Sequence, residues 1–328
     1  MADILMPVPL SAFVCDALEK EHTLHRLWKA PDEGAFLASN AADIRAIATA
    51  ASILVDGRPR PIDRGFLDRF PKLELVASLG VGYDHIDAAH AASRGILVTN
   101  TPDVLTEETA DTGFGLLLNT VRRFSAAERY LRDGGWRTAP FPLTASLRGR
   151  TIGILGLGRI GKALARRAEA FGLQVAYCGR TRQTGVDYPY YAAPRDLAAA
   201  CDILMIAAPG GPGTKNIIDA NVLKALGPDG FLINIARGSL VDEAALIDAL
   251  ERGAIAGAGL DVYPDEPNVD PGLLALDNVA LFPHVGSGTH HTRRAMADLL
   301  LENIARWAQG ATPPSLVPES RLARDGKR

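Results

Sequence analysis

The sequence predicts an α/β protein with two doubly wound parallel sheets, and three observations support this prediction. Short apolar runs that end in Gly, Pro or Asn alternate with amphipathic stretches along the whole chain, as parallel strands covered by helices on both faces require. The 328 residues, 47% of them hydrophobic, suffice for two cores. A glycine-rich turn, GLGRIG at Gly156–Gly161, stands mid-chain between a strand-like run and a helix-like run.

The first hundred residues form one predicted α/β unit. Its strand candidates are Ile4–Val8, Leu24–Trp28, Ile44–Ala48, Leu73–Leu79 and Ile96–Val98. At the start of the chain, Asp3 stands where a signal peptide has a basic residue, and Pro7 and Pro9 interrupt the apolar run. We therefore expect a first strand there rather than a secretion signal.

A long helix is predicted after the break at Thr101. It begins near Thr106, where Glu107 and Glu108 occupy a first turn in which the helix dipole favours acidic residues. It continues through GFGLLLNTVRRF towards Arg132, and we expect it to cross between the two domains. Its GFGLLLNT face is more apolar than one small domain would cover, which favours a homodimer.

The Gly-, Pro- and Arg-rich loop Asp133–Arg150 leads to a second predicted α/β unit. Its strand candidates are Thr151–Leu155, Gln174–Tyr177, Ile203–Ala207, Phe231–Ile235, Gly257–Asp261 and Val279–Phe282. We expect the last helix, Thr292–Gln309, to return to the first unit, and the tail Arg321–Arg328 to be frayed. The predicted domains are residues 1–101 with 290–328, and residues 102–289.

Charge and cysteine content limit the possible partners. The formal net charge of −3 offers no general attraction for nucleic acid or an anionic membrane, so neither is an expected partner. Three cysteines without a CxxC spacing indicate neither a disulfide framework nor a zinc site, which fits a reducing cytoplasm. The neighbours His290 and His291 would point in different directions on a helix, so we expect a polar face and no metal.

The glycine turn has the strand, turn and helix order of a dinucleotide-binding site. Gly156 permits the tight turn, Gly158 lets the backbone approach a pyrophosphate, and Gly161 lets helix and strand pack closely. The helix start at Arg159 and Ile160 supplies free N–H groups and a partial positive charge. The alternative is a glycine-rich turn that binds no ligand.

The residues beyond the second strand of this unit indicate which dinucleotide is bound. NAD-binding folds usually place Asp or Glu about 20 residues after the turn, where it binds the ribose hydroxyls. Here Gly179, Arg180, Thr181 and Arg182 stand in its place. Because an arginine would pair with a 2′-phosphate, the sequence favours NADP(H), with NAD(H) still possible. The alternative is an exposed basic loop without a ligand.

Three charged or titratable residues follow strands of the second sheet, at the edge where doubly wound sheets bind ligands. Arg237 follows FLINIA, Glu266 follows AGLDVY after a short loop, and His284 follows VALFP. Taken singly, each has a structural alternative: a loop arginine, a surface glutamate, or a histidine that caps a strand end. Three at one edge of a nucleotide-binding sheet favour an active site.

With these residues the sequence resembles the D-isomer-specific 2-hydroxyacid dehydrogenase family over nearly its whole length. The matching stretches are LGVGYDHID (Leu79–Asp87), GLGRIG (Gly156–Gly161), NIARGSLVDEAAL (Asn234–Leu246), GLDVYPDEP (Gly259–Pro267) and PHVGSGT (Pro283–Thr289). The resemblance implies a Rossmann-type nucleotide domain plus a flavodoxin-like substrate domain. It is greatest to the NADPH-preferring reductases, which implies reduction of glyoxylate or hydroxypyruvate to the D-2-hydroxy acid.

The expected chemistry needs a group that holds the carboxylate of a 2-keto acid, a proton donor for the ketone oxygen, and a hydride. Arg237 offers a permanently charged fork that can hold carboxylate and polarise the carbonyl. His284 is the expected acid, and Glu266 is the expected partner of its ring. The pair then serves as acid in reduction and as base in oxidation.

The resemblance also implies further site residues. The backbone amides of Val81 and Gly82 should receive the substrate carboxylate, and Asp261 should hold the nicotinamide amide. Cofactor contacts are also implied for Thr109, Pro209, Thr214, Ala236 and Gly286. Trp136 lies in a region that reaches a neighbouring subunit's site in related reductases, although a packed surface tryptophan is an equal alternative.

Competing functions remain open at this point. Ala139 and Pro140 stand where related reductases carry an aromatic residue, which leaves open a reductase for bulkier acids such as hydroxyphenylpyruvate. A 3-phosphoglycerate dehydrogenase is disfavoured by the arginines after the second strand and by the absence of the long form's C-terminal regulatory domain. A dinucleotide-sensing, corepressor-like binding protein could retain the same Arg, Glu and His, so only turnover would exclude it.

Overall fold

The computed structural model describes residues 1–50, 54–55 and 58–325. The chain forms two compact units. Unit 1 comprises Met1–Leu105 together with Thr289–Arg328, and unit 2 comprises Thr106–Gly288. Each unit is built around one parallel sheet that is buried on both faces. Two parallel-sheet α/β units confirm the predicted fold class.

The sheet of unit 1 has five parallel strands in the order β2-β1-β3-β6-β7. They are β1 (Asp3–Met6), β2 (Thr23–Arg26), β3 (Ile44–Ala50), β6 (Leu75–Leu79) and β7 (Leu97–Thr99). All five were predicted, with ends that differ by at most two residues. A two-stranded antiparallel hairpin, which was not predicted, consists of β4 (Leu54–Val55) and β5 (Arg58–Pro59). Without this hairpin, the strand order is that of flavodoxin-like sheets.

Helices from both ends of the chain cover the sheet of unit 1. They are α1 (Ala12–Glu19), α2 (Glu33–Asn40), α3 (Arg64–Leu67), α4 (Ala88–Ser93), α12 (His290–Ala308) and α13 (Pro318–Asp325). The Thr289 side chain accepts a hydrogen bond from the Thr292 amide and caps the start of α12. Ala297, Leu300 and Ile304 then recur at helical spacing and are buried in the core with alternate residues of β1 and β3.

The sheet of unit 2 has seven parallel strands in the order β10-β9-β8-β11-β12-β13-β14. They are β8 (Thr151–Leu155), β9 (Gln174–Cys178), β10 (Tyr190–Tyr191), β11 (Ile203–Ile206), β12 (Phe231–Asn234), β13 (Gly257–Leu260) and β14 (Val279–Leu281). Six of them were predicted, and β10 was missed because it contains only two residues. The order reverses between β8 and β11, which places the end of β8 at the position where doubly wound sheets bind dinucleotides.

Seven helices of unit 2 accompany this sheet in the described part of the chain. They are α5 (Thr106–Arg122), α6 (Phe124–Arg132), α7 (Arg159–Ala170), α8 (Pro194–Ala199), α9 (Ala220–Leu226), α10 (Glu243–Glu251) and α11 (Pro271–Leu274). Each of α9, α10 and α11 begins at an aspartate whose side chain accepts hydrogen bonds from first-turn amides.

The predicted single helix from Thr106 to Arg132 was wrong in one respect. Arg123 has a left-handed backbone (φ 53°) that separates α5 from α6. Phe114, Leu116 and Leu117 of the GFGLLLNT segment are buried in the core of unit 2 itself. Coverage by a second subunit is therefore not needed for α5, and that argument for a dimer was also wrong.

The end of the chain is more ordered than predicted. Pro318–Asp325 forms α13, which contradicts fraying from Arg321 onwards, whereas residues 326–328 lie outside the described residues. The Ser320 hydroxyl accepts a hydrogen bond from the Val98 amide at 2.8 Å, and Val317 is buried. These contacts fasten the start of α13 to the edge of the sheet at β7. None of the helices in the described ranges is long and apolar enough to span a membrane.

Candidate active site

The glycine turn connects β8 to α7. Gly156 has a φ of +96°, and a Cβ there would lie 2.7 Å from the Ala208 Cα. A Cβ at Gly161 would lie 2.2 Å from the Gly156 carbonyl oxygen, so only glycine permits this helix to start so close to the strand. By contrast, apart from Gly158 and its two chain neighbours, no heavy atom of the described chain lies within 4 Å of a Cβ built at Gly158.

This arrangement fits a dinucleotide phosphate. Gly158 is the N-cap residue of α7 and has no side chain to occupy the first-turn amides at Arg159 and Ile160. Those amides carry the positive end of the helix dipole. The open space at Gly158 lets a phosphate approach the backbone.

The loop after β9, here called the arginine loop (Gly179–Gln183), is the second feature that the sequence predicts to contact a cofactor. Arg180, Thr181 and Arg182 have exposed side chains, whereas Gly179 is half-buried at the end of the strand. The guanidinium groups of Arg180 and Arg182 are therefore exposed to solvent, on a loop that directly follows a buried strand. Such groups match the geometry and charge of a phosphate ester.

His284 and Glu266 are in contact, as the sequence predicted for an acid and its partner. The Nδ1 atom of His284 lies 2.7 Å from Oε2 of Glu266. The other carboxylate oxygen, Oε1, accepts a hydrogen bond from the Tyr263 amide at 3.1 Å. Since a carboxylate only accepts, Nδ1 carries the hydrogen, and Nε2 of the ring takes no part in the contact with Glu266.

The electrostatics of the pair favour an ionised glutamate. Burial acts to raise the pKa of Glu266, whereas the hydrogen bond and charge of His284 act to lower it. The Tyr263 amide and the charge of Arg237 act in the same direction as His284. The net result is a pKa of Glu266 below its ordinary value.

Arg237 follows β12 in extended backbone (φ −148°) and is half-buried. The buried Asn234 side chain fixes this turn: its Oδ1 accepts from the Ala236 amide at 3.0 Å, and its Nδ2 donates to the Arg237 carbonyl oxygen at 2.9 Å. A Cβ at Gly238 would lie 1.9 Å from the Tyr263 carbonyl carbon. The turn that carries Arg237 therefore packs closely against the segment between Tyr263 and Glu266, which carries the glutamate.

Asp261 fixes the backbone that follows His284. It is buried, its Oδ1 accepts from the Val285 amide at 2.7 Å, and its Oδ2 accepts from the Gly286 amide at 2.9 Å. His284 itself has a left-handed φ of 53°. Burial raises the pKa of Asp261, and the Val285 amide and the His284 charge oppose that effect.

The other predicted cofactor contacts lie on several elements of unit 2. Thr109 is buried on α5, and a Cβ at Gly286 would lie 3.5 Å from its Cγ2, so these two residues are neighbours. The Thr214 hydroxyl donates to the carbonyl oxygen of Pro209 at 2.9 Å, which closes the loop after β11. Ala236 lies in the turn held by Asn234.

Val81 and Gly82 belong to unit 1 and follow β6. The Asn100 side chain donates to the Val81 carbonyl oxygen at 2.8 Å. The Thr101 hydroxyl accepts from the amide of Gly80, where the backbone has a φ of +138°. Asn100 and Thr101, which follow β7, therefore fix this turn through one carbonyl oxygen and one amide of its backbone.

Sequence reasoning missed the positioning contacts of two residues. Asn234 lies in β12, as the sequence predicts, but its side-chain bonds to the following turn were not predicted. An Asn shortly before a turn is typical of a side chain that bonds its own backbone. For Asp261 the sequence predicted a nicotinamide contact and did not predict its two bonds to backbone amides. Within the described ranges, no group of three or more His, Cys, Asp or Glu side chains could hold a metal ion.

Comparisons with known proteins agree on one family. The model for "D-isomer specific 2-hydroxyacid dehydrogenase, NAD binding domain" matches residues 114–286. A hydroxyphenylpyruvate reductase of Plectranthus scutellarioides is 44% identical over 96% of this chain and 98% of its own length. A glyoxylate/hydroxypyruvate reductase of Arabidopsis thaliana is 45% identical over 94% of this chain and 96% of its own.

A solved structure shows the same fold over the whole chain. The NADPH-dependent glyoxylate/hydroxypyruvate reductase of Sinorhizobium meliloti, in complex with NADP and malonate, is 46% identical, covers 97% of each chain and superposes with a TM-score of 0.90. Together with the Arg237, Glu266 and His284 constellation and the glycine turn, these likenesses show that the chain belongs to the D-isomer specific 2-hydroxyacid dehydrogenase family.

Proposed function

We propose that this protein is a reductase that transfers hydride from NADPH to a small 2-keto acid, glyoxylate or hydroxypyruvate, and yields the D-2-hydroxy acid. The observation that carries the proposal is the 2.7 Å bond between His284 Nδ1 and Glu266 Oε2. It fixes an imidazole with Nε2 available as a proton donor at the carboxyl edge of a nucleotide-binding sheet. The S. meliloti and A. thaliana relatives carry the same activity in their names.

The proposed mechanism assigns one task to each side chain. The Arg237 guanidinium binds the substrate carboxylate and polarises the keto oxygen, each charge-assisted bond contributing about 1.5–3 kcal/mol. His284 Nε2 then donates its proton to that oxygen while Glu266 stabilises the charged ring. The bound nicotinamide supplies the hydride to the carbonyl carbon. In the oxidative direction the neutral ring accepts the hydroxyl proton.

We assign the cofactor to unit 2. The amides after Gly158 would hold the pyrophosphate, and Arg180 and Thr181 would hold the 2′-phosphate. The open space at Gly158 and the exposed guanidinium groups support this assignment. Thr109, Pro209, Thr214, Ala236, Asp261 and Gly286 remain predicted cofactor contacts. Residues 1–101 and 290–328 are proposed as the substrate domain, with the Val81 and Gly82 amides as ligands of the substrate carboxylate.

Steady-state turnover tests the proposal. Purified protein should oxidise NADPH with glyoxylate and hydroxypyruvate, and kcat/KM should be at least tenfold lower with NADH. Arg237→Lys should keep a charge without the bidentate fork and raise KM for the keto acid. Tight NADPH binding without turnover of any 2-keto acid would contradict the proposal and revive the corepressor-like alternative, which the names of the relatives do not favour.

A second candidate substrate is hydroxyphenylpyruvate. The P. scutellarioides reductase that bears this name matches nearly the whole chain. A kcat/KM for hydroxyphenylpyruvate above that for hydroxypyruvate would make it the preferred substrate.

We further propose a homodimer that forms through α6 and the loop after it. This helix has no buried residue, and Phe124 and Leu131 are 50% and 55% exposed. Trp136 and Leu143 add large exposed apolar groups, and a hollow of about 420 Å³ lies between Leu131 and Arg137. So many large apolar side chains on one segment are typical of an interface. Trp136 stays a prediction for the neighbouring subunit's site.

A cytoplasmic location completes the proposal. All three cysteines are free thiols. Burial raises the pKa of Cys178 to about 11 and that of Cys201 to about 12, which keeps both protonated. A protein whose stability needs no disulfide suits a reducing compartment. Fractionation of cells with an antibody against the protein would test this location.

A further inference from the structure

Both ends of the arginine loop are fastened by side chains of unit 2. At its start, the Tyr190 hydroxyl donates to the Gly179 carbonyl oxygen at 3.1 Å. At its end, the backbone N–H of Gln183 donates to the Tyr177 hydroxyl at 2.8 Å. The rings of these two tyrosines lie 5.3 Å apart on paired strands, and Tyr177 is fully buried. The arginines between the two ends are therefore held on a fixed backbone.

One side chain joins this loop to the glycine turn. The Gln183 Nε2 atom donates to the carbonyl oxygen of Leu157 at 2.7 Å. Leu157 lies between Gly156 and Gly158, so the bond connects the proposed 2′-phosphate site with the proposed pyrophosphate site. The two proposed sites would bind groups of the same ligand, so the distance between them must match the distance between the pyrophosphate and the 2′-phosphate of NADPH.

We infer that Gln183 is a positioning residue for NADPH selectivity: it holds the arginine loop at the distance from the glycine turn that the 2′-phosphate requires. This inference rests on the proposed function. A loop ordered before binding loses less conformational freedom when the ligand arrives. Because only NADPH has a 2′-phosphate to reach Arg180, loss of the Gln183 bond should weaken NADPH and leave NADH almost unaffected.

The direct test is a binding titration without keto acid. In Gln183→Met the side chain keeps its length but loses the donor. We expect the Kd for NADPH, measured by cofactor fluorescence, to rise about 3- to 10-fold, the factor that one hydrogen bond supplies, and the Kd for NADH to change less than twofold. The kcat at saturating NADPH should be unchanged while KM for NADPH rises. Equal weakening of both cofactors would overturn the inference.

A matched control lies in the same segment. The Tyr188 hydroxyl donates to Glu169 on α7 and not to the arginine loop. Tyr188→Phe should keep both Kd values, whereas Tyr190→Phe should weaken NADPH in the same direction as Gln183→Met. If Tyr188→Phe matched the effect of Gln183→Met, the effect would come from the segment as a whole, and the inference would fail.

A double-mutant cycle tests whether Gln183 acts through Arg180. With Arg180→Ala the 2′-phosphate loses its partner, so a further Gln183→Met change should have little additional effect on the ratio of the two Kd values. Fully additive effects would contradict action through Arg180. A wild-type protein that does not prefer NADPH would overturn the proposed cofactor itself. If the wild type prefers NADPH but the ratio of the two Kd values is unchanged in Gln183→Met, this inference alone would be overturned.

Limited proteolysis gives a readout that is independent of cofactor. Trypsin cleaves after arginine, and Arg180 and Arg182 are exposed. Without cofactor, Gln183→Met should be cleaved at these two bonds at least threefold faster than wild type, with the fragments identified by mass. Unchanged cleavage would show that Gln183 does not hold the loop and would overturn the inference.

Discussion

Two carboxylates hold His284 by different means. Glu266 binds the ring at Nδ1, whereas Asp261 binds the two amides that follow the residue in the chain. The ring orientation and the left-handed backbone are thus fixed separately. A left-handed φ in a residue other than glycine costs about 1–3 kcal/mol, which the surrounding contacts must offset.

The first prediction at this scale concerns pH. The pKa of Glu266 lies below its ordinary value, because the contacts with His284, the Tyr263 amide and the charge of Arg237 outweigh the effect of burial. The ionised carboxylate therefore stabilises the fold fully above the ordinary carboxyl pKa, and this contribution is lost as the pH falls through the lower folded-state pKa. In Glu266→Gln the contribution is absent, so the free energy of unfolding, measured in urea at several pH values, should decline less towards acid pH than in the wild type. Glu169→Gln, remote from the ring, is the control, and a profile identical to wild type would contradict the pairing.

The second prediction concerns Asp261. Asp261→Ala leaves the Val285 and Gly286 amides without their acceptor and releases the backbone at His284. The free energy of unfolding in urea should fall by about 2–3 kcal/mol, and kcat should fall more than KM for the keto acid changes. Asp202→Ala is a suitable comparison, because Oδ2 of that carboxylate accepts from one backbone amide, that of Thr151, and Oδ1 lies 4.0 Å from Nη1 of Arg150. This substitution should cost about 1 kcal/mol. Equal losses in the two variants would argue against a special role for Asp261.

At the scale of elements, the glycine turn separates packing from ligand binding. Gly161 has no room for a Cβ, whereas Gly158 has open space and a φ of −78° that alanine adopts freely. The two glycines occupy one short turn but have different physical reasons to lack a side chain.

A pair of alanine variants tests this difference. Gly161→Ala forces α7 away from β8 and should lower the free energy of unfolding by about 1–3 kcal/mol. Gly158→Ala should change it by less than about 0.5 kcal/mol, yet raise the Kd for NADPH at least tenfold because the methyl group occupies the phosphate's approach. Thermal or urea unfolding and cofactor titration separate the two effects. Normal NADPH affinity in Gly158→Ala would place the pyrophosphate elsewhere.

The elements that could be predicted from the sequence were those with a strong hydrophobic pattern. The strand Thr151–Leu155 was predicted to the residue because it is a continuous apolar run next to the glycine turn. The short strand Tyr190–Tyr191 has no such pattern, because its position depends on its pairing with Tyr177 and Cys178. The break at Arg123 was hidden for a similar reason: arginine favours helix locally, and only tertiary packing imposes its left-handed backbone.

The same distinction holds for the candidate site. Residue types and positions at strand ends led to Arg237, Glu266 and His284, and the structure joins the last two directly. The supporting contacts of Asn234, Asp261 and Gln183 are made with backbone atoms. Since every residue has those atoms, the sequence does not show which backbone groups Asp261 and Gln183 bond. Only Asn234 carries a local signal, because it stands just before a turn.

At the scale of the whole molecule, four of the ten large apolar side chains that are exposed in the described ranges lie on α6 and the loop after it. Leu131→Glu should leave the fold intact, because the Leu131 side chain is 55% exposed and α6 has no buried residue. In sedimentation velocity it should convert a dimer to single chains. Leu322→Glu is the matched control, since Leu322 is 73% exposed on α13. A dimer that persists in Leu131→Glu would place the interface elsewhere.

The return of α12 and α13 to unit 1 also has a consequence for biosynthesis. The Ala46 and Ala48 face of the first sheet is covered by α12, and β7 is bonded to Leu316 and Ser320 near the end of the chain. During synthesis the strands of unit 1 therefore emerge from the ribosome first, but the core of unit 1 can be completed only after the whole of unit 2 has emerged. Until then one apolar face of that sheet lacks its cover, and nascent chains should depend on chaperones mainly through their first hundred residues.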